Sequence, residues 1–196
     1  FEGVILSVDA PGGSAVASAR ISRAVERLGR RKPVVSLFGN VAASGGYYLA
    51  ARSQALIAHP GTVTGSIGVV GGKLSCGQAL NRVGIHGELI SSGPDADFLS
   101  AWTPFSPDQR VRFRGFLQRT YDRFLQEVSS GRRMPLESVE EAAGGRVWTG
   151  RQALSLGLVD GLGGKSGALK ALASRLGVES RELLPVDVEV ERRLSF

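Results

Sequence analysis

The sequence predicts an α/β fold in which a parallel β-sheet is flanked by helices. Short apolar runs typical of buried strands alternate with segments of helical periodicity over residues 1–90, and this alternation favours parallel strands joined by right-handed crossovers. Paired glycines occur at turns that follow the first two apolar runs. The 196 residues, 42% of them hydrophobic, suffice for one domain with a buried core.

The amino-terminal elements follow from local patterns. Residues 4–8 (VILSV) form a short apolar run that ends in the turn DAPGG, so we predict a buried strand. Ser14 can cap a helix that runs to about Leu28. A second apolar run over residues 33–38 predicts the next strand. Together these segments form the first strand–helix–strand unit.

The next segment predicts a second turn of the same kind. Gly39 and Asn40 are expected to turn the chain, and residues 44–51 begin with SGG and continue as a short helix. Residues 55–58 predict a third strand, and residues 62–70 an extended, glycine-rich segment. Because ligands of parallel sheets bind beyond the carboxyl ends of the strands, the two glycine turns are expected to share one crevice.

The second half of the chain is expected to be mainly helical. Ser106, followed by proline and aspartate, is a strong helix start. Shorter helices are predicted over residues 137–143, 150–156 and 165–176, and residues 91–103 have no clear period. The apolar residues of the long helix are expected to lie in the core, namely Phe113, Phe116, Leu117, Phe124, Leu125 and Val128.

We predict a single domain over residues 1–196. Its sheet core spans residues 1–90, its mainly helical part 104–177, and a charged peripheral tail 185–196. Since a buried strand begins almost at the first residue, we expect the sequence to be a piece of a longer chain.

Composition narrows the function classes. The net charge is +6 and the sequence pI about 10.1, but no aromatic platform or nucleic-acid motif accompanies the arginines of residues 110–133. We interpret them as a solvated helix face, with no nucleic-acid partner. The single cysteine, Cys76, cannot form an internal disulfide, and we expect it in the core. No metal or cofactor is expected.

Ser44 is the first candidate for chemistry. A serine at a strand-to-helix turn can point its hydroxyl outward, and the Gly45 N–H lies at a helix N-terminus, which favours an anion. The alternative is that Ser44 only caps the helix. Gly13, in the earlier glycine turn, could supply a second oxyanion-hole donor or form a plain turn. A serine nucleophile also needs a base, and His59 and His86 are the histidines that could serve a triad.

Five short motifs resemble those of the signal peptide peptidase A (protease IV, SppA) family. They are DAPGGS at residues 9–14, AASGGYY at 42–48, TGSIG at 64–68, VWTG at 147–150 and GLVD at 157–160. Each motif is weak alone, but five in the same order and spacing are specific. The resemblance implies the fold of the ClpP proteases and crotonases and a membrane-associated serine protease with a serine–lysine dyad. It implies Ser44 as nucleophile.

The same resemblance assigns the remaining roles. Ser66 would orient the general-base lysine, and Gly13 and Gly45 would form the oxyanion hole. Such enzymes degrade cleaved signal peptides and other small hydrophobic peptides on the extracytoplasmic (periplasmic) side of the bacterial inner membrane. The resemblance also implies a homo-oligomer, with membrane attachment through an anchor outside this sequence.

The sequence departs from the family pattern at the lysine. In SGPDAD, residues 92–97, Ala96 occupies the matching position. In the long form of the family, with two tandem repeats, the amino-terminal repeat supplies the lysine, and this sequence resembles the carboxyl-terminal repeat. We therefore expect the isolated chain to be inactive. The alternatives are a non-catalytic scaffold and a crotonase-type acyl-CoA enzyme.

Overall fold

The computed structural model describes residues 1–93 and 95–188; Pro94 and the tail residues 189–196 lie outside the described residues. The predicted α/β class, with helices beside a largely parallel sheet, is confirmed. In chain order, the elements are β1 (Val4–Ala10), α1 (Ala15–Gly29), β2 (Val34–Ala43), α2 (Gly45–Ala50), β3 (Ala55–Ala58), β4 (Val63–Gly65), α3 (Gly77–Arg82), α4 (Pro107–Arg132), α5 (Leu136–Ala142), β5 (Val147–Thr149), α6 (Gly150–Ser155), β6 (Gly161–Leu162), α7 (Lys165–Leu176) and the 3-10 helix Ser180–Glu182.

Strand β2 is the centre of the sheet. It pairs in parallel with β1, and its other edge pairs first with β3 and then with β4. Strand β6 extends the sheet in parallel beside β3, whereas β5 pairs antiparallel with β4. The change of partner along β2 makes the sheet curl, so the ends of β1, β2 and β4 converge.

The predicted turn at Gly39 and Asn40 is wrong, because β2 continues through both residues to Ala43. The register of β1 against β2 shifts at this point, and the Asp9 carboxylate accepts a hydrogen bond of 3.0 Å from the Val41 N–H. A Cβ at position 39 would lie 2.8 Å from the Asp9 Cγ. The glycine therefore makes room for a side chain that bridges an irregularity inside the strand.

Helices cover both faces of the sheet. One face of β2 and β3 places Phe38 and Leu56 in the main core, together with Tyr47 of α2 and Val128 of α4. The other face carries Val35 and Ile57, which pack against Ala168 and Leu172 of α7. The two sets alternate along the strands, as the two-residue period of a strand requires.

Helix α4 is only partly a core helix. Phe124, Leu125 and Val128 are buried as predicted, but Phe116 is 56% exposed and Phe113 is half-buried. In the amino-terminal half of α4, Phe113 packs instead on Phe98 and Phe105 of the preceding segment. The prediction that the whole stripe lies in the core is therefore wrong.

The expectation for Cys76 also fails, since it is exposed at the start of α3 rather than buried. His86 lies in an irregular, exposed segment. The part over residues 104–177 is mainly helical, as predicted, but it also contributes the short strands β5 and β6, which are too brief to leave a periodic signal.

Candidate active site

Ser44 occupies a strained turn between β2 and α2. Its backbone has φ 51° and ψ −120°, a region that L-residues rarely adopt and that costs about 1–3 kcal/mol. The Ser44 N–H donates to the Gly65 carbonyl (2.9 Å), and its carbonyl accepts from the Tyr48 N–H (2.8 Å). The hydroxyl makes no capping hydrogen bond to α2. The observation does not support the alternative that Ser44 only caps the helix.

The glycine turn after β1 packs directly on Ser44. A Cβ at Gly12, whose φ is +134°, would lie 2.9 Å from the Ser44 Cβ and 3.2 Å from its Oγ. A Cβ at Gly45 would lie 3.2 Å from the Gly13 N. Larger residues at positions 12 and 45 would therefore separate the two turns. The glycines therefore let the Gly13 and Gly45 amides lie close to each other and to Ser44.

Both of these amides are free to bind a ligand. Over residues 1–93 and 95–188, neither the Gly13 nor the Gly45 N–H donates a hydrogen bond within the protein. The Gly45 N–H is one of the unpaired donors that every helix N-terminus presents. Two unpaired backbone donors beside a serine hydroxyl can stabilise a developing oxyanion.

Ser66 lies beside Ser44 because of strand pairing. Ala43 of β2 is in register with Gly65 of β4. The residues that follow them, Ser44 and Ser66, are therefore neighbours at the carboxyl ends of the two strands. Ser66 also has a positive φ of 48°, and its N–H donates to the Arg146 carbonyl (2.7 Å). The β4–β5 pair therefore fixes the backbone of Ser66.

The two serines and Gly13 and Gly45 line one cavity of about 910 Å³. Its long wall is the face of α4 whose apolar residues were predicted to be core. The segment 68–72 lines the cavity as well. A cavity of this size accommodates several residues of a peptide. The contributing α4 residues are Phe113, Arg114, Phe116, Leu117, Gln118, Thr120, Tyr121 and Phe124.

Two adjacent tyrosines anchor α2 beneath the serine. The buried Tyr47 hydroxyl donates to the Leu158 carbonyl (2.7 Å), and burial raises the pKa of Tyr47 well above its usual range. The Tyr48 ring packs 4.9 Å from the ring of Phe124 and lines the cavity. Burial, reinforced by the charge of Glu127, also raises the pKa of Tyr48. Both phenols stay neutral at physiological pH.

The structure keeps the predicted histidine bases out of the cavity. His59 is exposed after β3, where its backbone N–H donates to the Thr62 Oγ1. His86 is exposed, with its Nδ1 3.2 Å from the Asn81 Oδ1. Neither residue lines the cavity. Neither is in position to take a proton from Ser44.

The four lysines are also absent from the residues that line the cavity. Lys73 is half-buried, with its amine donating to the Phe98 carbonyl and lying 4.4 Å from the centre of the Phe105 ring. Ala96 is exposed in a turn. Within the described part of the chain, the cavity is therefore lined by serine hydroxyls and the free amides of Gly13 and Gly45, but by no histidine or lysine.

Sequence reasoning missed the α4 wall of the cavity. The apolar spacing of a helix is the same for a core and for a binding surface, so no local signal could separate them. The described residues contain no group of three His, Cys, Asp or Glu side chains that could hold a metal ion. Nor does any described helix have the length and apolar character required to cross a membrane.

Comparisons with known proteins agree with this geometry. The family model of Peptidase family S49 matches residues 26–179. Serine protease SPPA, chloroplastic, of Arabidopsis thaliana is 39% identical over 170 residues, which cover 86% of this chain and 25% of that protein. A putative protease of Synechocystis is 36% identical over 91% of this chain and 65% of that protein. Protease 4 of Haemophilus influenzae is 35% identical and covers 96% and 30%. The chain thus spans from a quarter to just under two thirds of these relatives.

The fold is that of the ClpP proteases. A ClpP1 mutant from Listeria monocytogenes superimposes with a TM-score of 0.55 at 10% sequence identity, over 86% of this chain and 78% of that one. At this identity the likeness concerns the fold alone, and it confirms the predicted architecture.

Proposed function

Because the chain belongs to peptidase family S49, we propose that it carries the nucleophile of a serine protease, with Ser44 as the attacking residue. The observation that supports this most is the strained Ser44 turn beside the free amides of Gly13 and Gly45. Strain at a non-glycine residue persists where the surroundings impose it, and it is frequent at catalytic positions.

The reaction follows from the positions of these groups. The Ser44 Oγ attacks the carbonyl carbon of a peptide bond while a base accepts its proton. The Gly13 and Gly45 N–H groups donate to the resulting oxyanion, and each such donor is worth about 2.7–4 kcal/mol in the transition state. The base then protonates the leaving amine, and a water molecule hydrolyses the acyl-enzyme.

We propose that the base is a lysine supplied from outside this sequence, by an amino-terminal repeat of the same protein. The cavity has no base among the described residues, and Ala96 stands where the family motif has lysine. Largely apolar walls would desolvate an incoming ammonium and lower its pKa, which favours the neutral, proton-accepting form. Ser66, beside Ser44, would hold this amine by a hydrogen bond.

The proposed substrates are peptides with small or apolar side chains, including cleaved signal peptides. The cavity favours such substrates because most of the residues that line it are phenylalanine, leucine, valine or glycine. Because the relatives are longer, we also propose that the whole protein acts as a homo-oligomer attached to the membrane, with this domain on the extracytoplasmic side.

The missing base also favours a second candidate, a non-catalytic scaffold in which the serine turn is retained without activity. No observation favours the crotonase-type acyl-CoA reaction. Hydrolysis of a fluorogenic apolar peptide by the longer protein separates the remaining two candidates.

As a protease, the longer protein should lose at least about 10⁴-fold in kcat on Ser44→Ala. It should keep full activity on Ser155→Ala, an exposed serine of α6. Ser66→Ala should lower kcat more than it raises KM. A longer protein with no serine-dependent hydrolysis would support the scaffold instead.

A further inference from the structure

One residue of the Ser44 cavity differs in charge from all the others. Among the described residues that line it, Arg114 alone carries a charge. Its guanidinium makes no ion pair or hydrogen bond with any residue that the structure describes, whereas Arg112 pairs with Asp95 and Arg132 with Asp160. A guanidinium at the mouth of an otherwise neutral, largely apolar cavity is a binding group for an anion.

Arg114 and Phe124 both line the cavity and lie at separate points along α4. Phe124 contacts Tyr48, one helical turn beyond Ser44. Arg114 is ten residues earlier in α4, a distance of about 15 Å along the helix. An extended peptide rises about 3.3 Å per residue, so this distance corresponds to roughly four or five residues.

The segment that follows Ser66 also lines the cavity. It packs first on Gly145 and then on the amino-terminal half of α4. A Cβ at Gly68 would lie 2.9 Å from the Gly145 Cα, and one at Gly71 would lie 2.9 Å from the Leu117 Cδ2 and 3.0 Å from the Phe113 Cζ. The segment that begins at Ser66 and Phe113, the residue before Arg114, therefore belong to one cavity.

We propose that Arg114 binds a carboxylate of the peptide substrate, in the part of the cavity away from the Tyr48–Phe124 contact. The inference rests on the proposed peptidase function and adds a specificity-determining residue to it. The carboxylate is either the free carboxyl terminus or an acidic side chain at that position. Both have the planar pair of oxygens that a guanidinium binds through two parallel hydrogen bonds.

The test measures binding to this chain, so it does not depend on catalysis. Four apolar peptides with the same core and an amino-terminal fluorophore are titrated by fluorescence anisotropy. Two differ only in a free or amidated carboxyl terminus, and two amidated peptides differ only in Glu or Gln at the last position. The protein variants are Arg114→Gln and Arg119→Gln, the latter an exposed arginine of α4 outside the cavity.

We expect one carboxylate peptide to bind roughly fivefold more tightly than its neutral match at low salt. This preference should disappear in Arg114→Gln and persist in Arg119→Gln. The pair that shows the preference identifies the source of the carboxylate. Circular dichroism establishes that each variant is folded.

Equal binding of charged and neutral peptides, a preference that survives in Arg114→Gln, or no binding of any peptide would overturn the proposal. These outcomes are separate from failure of the protease proposal. Binding of the neutral peptides tests the cavity without a contribution from the Arg114 charge. Failure of the longer protein to hydrolyse peptides would not change the anisotropy measured on this chain.

Discussion

The ion pair between Arg132 and Asp160 offers a quantitative test of how the GLVD motif supports the fold. The Arg132 guanidinium donates to both Asp160 oxygens, at 2.9 and 2.7 Å, and the Leu56 N–H of β3 donates to the same carboxylate at 2.7 Å. The pair thus joins the end of α4 to the central sheet. The Arg132 side chain is only 6% exposed, and that of Asp160 is 40% exposed.

Replacing Asp160 by Asn leaves the Arg132 charge buried without its partner. Breaking a buried pair in this way costs about 3–5 kcal/mol, but solvent screens the exposed part of Asp160, so we expect about 2–3 kcal/mol. In urea, the unfolding midpoint should fall by roughly 1 M with an unchanged slope. The matched control is Asp187→Asn, which removes the exposed pair with Lys165 and should cost less than about 0.5 kcal/mol.

The pH dependence of the free energy of unfolding tests the same ion pair in a second way. Burial by itself raises the pKa of Asp160, but the hydrogen bonds and charge of Arg132 and the Leu56 N–H outweigh it and hold the folded-state pKa below its ordinary value. Stabilisation by the carboxylate is complete above the unfolded pKa of about 3.9 and is lost as pH falls through the folded pKa. The difference between wild type and Asp160→Asn should shrink below about pH 4. An Asn variant within 0.5 kcal/mol of wild type at pH 7 would refute this reasoning.

Three further variants test the serine turn and its surroundings. Gly12→Ala should lower the free energy of unfolding by about 1–3 kcal/mol, because it adds strain at positive φ and contacts Ser44; Gly61→Ala, which meets only open space, is the control in the same thermal melt. Ser44→Gly should be about 1 kcal/mol more stable than Ser44→Ala in urea, since glycine adopts φ 51° with little strain; equal stability would contradict a strained turn. Glu127→Gln should cost about 2 kcal/mol by removing the bidentate partner of Arg52, and a midpoint equal to that of wild type would contradict it.

Local patterns predicted the elements that depend mainly on local interactions. Strand β3 and helix α7 lie where their apolar runs and glycine boundaries placed them. The predicted strand β2 ended too early, because Gly39 and Asn40 are typical turn residues. Only the pairing with β1 shows that they form an irregularity bridged by Asp9. The apolar face of α4 at Phe113 was predicted to be core, because helical periodicity does not reveal which surface the helix packs against.

The candidate site was predictable in its residues and not in its geometry. Motifs located Ser44, Ser66 and the two glycine turns, but the spacing around Ser44 by itself favoured a helix cap. The backbone conformation of Ser44 and its missing capping hydrogen bond argue against a simple cap, and residue type does not predict either of them. Arg114 had no signal at all, since it is one of several arginines in α4 and only the tertiary structure places it at the cavity.

The central claim is that Ser44 is a nucleophile whose base lies outside this sequence. The most direct measurement treats this chain and the longer protein with a fluorophosphonate probe and locates the labelled residue by mass spectrometry. We predict rapid labelling of Ser44 in the longer protein, its loss in Ser44→Ala, and little or no labelling of the chain alone. Labelling of the chain alone at the rate of the longer protein would contradict the claim, as would labelling that survives Ser44→Ala.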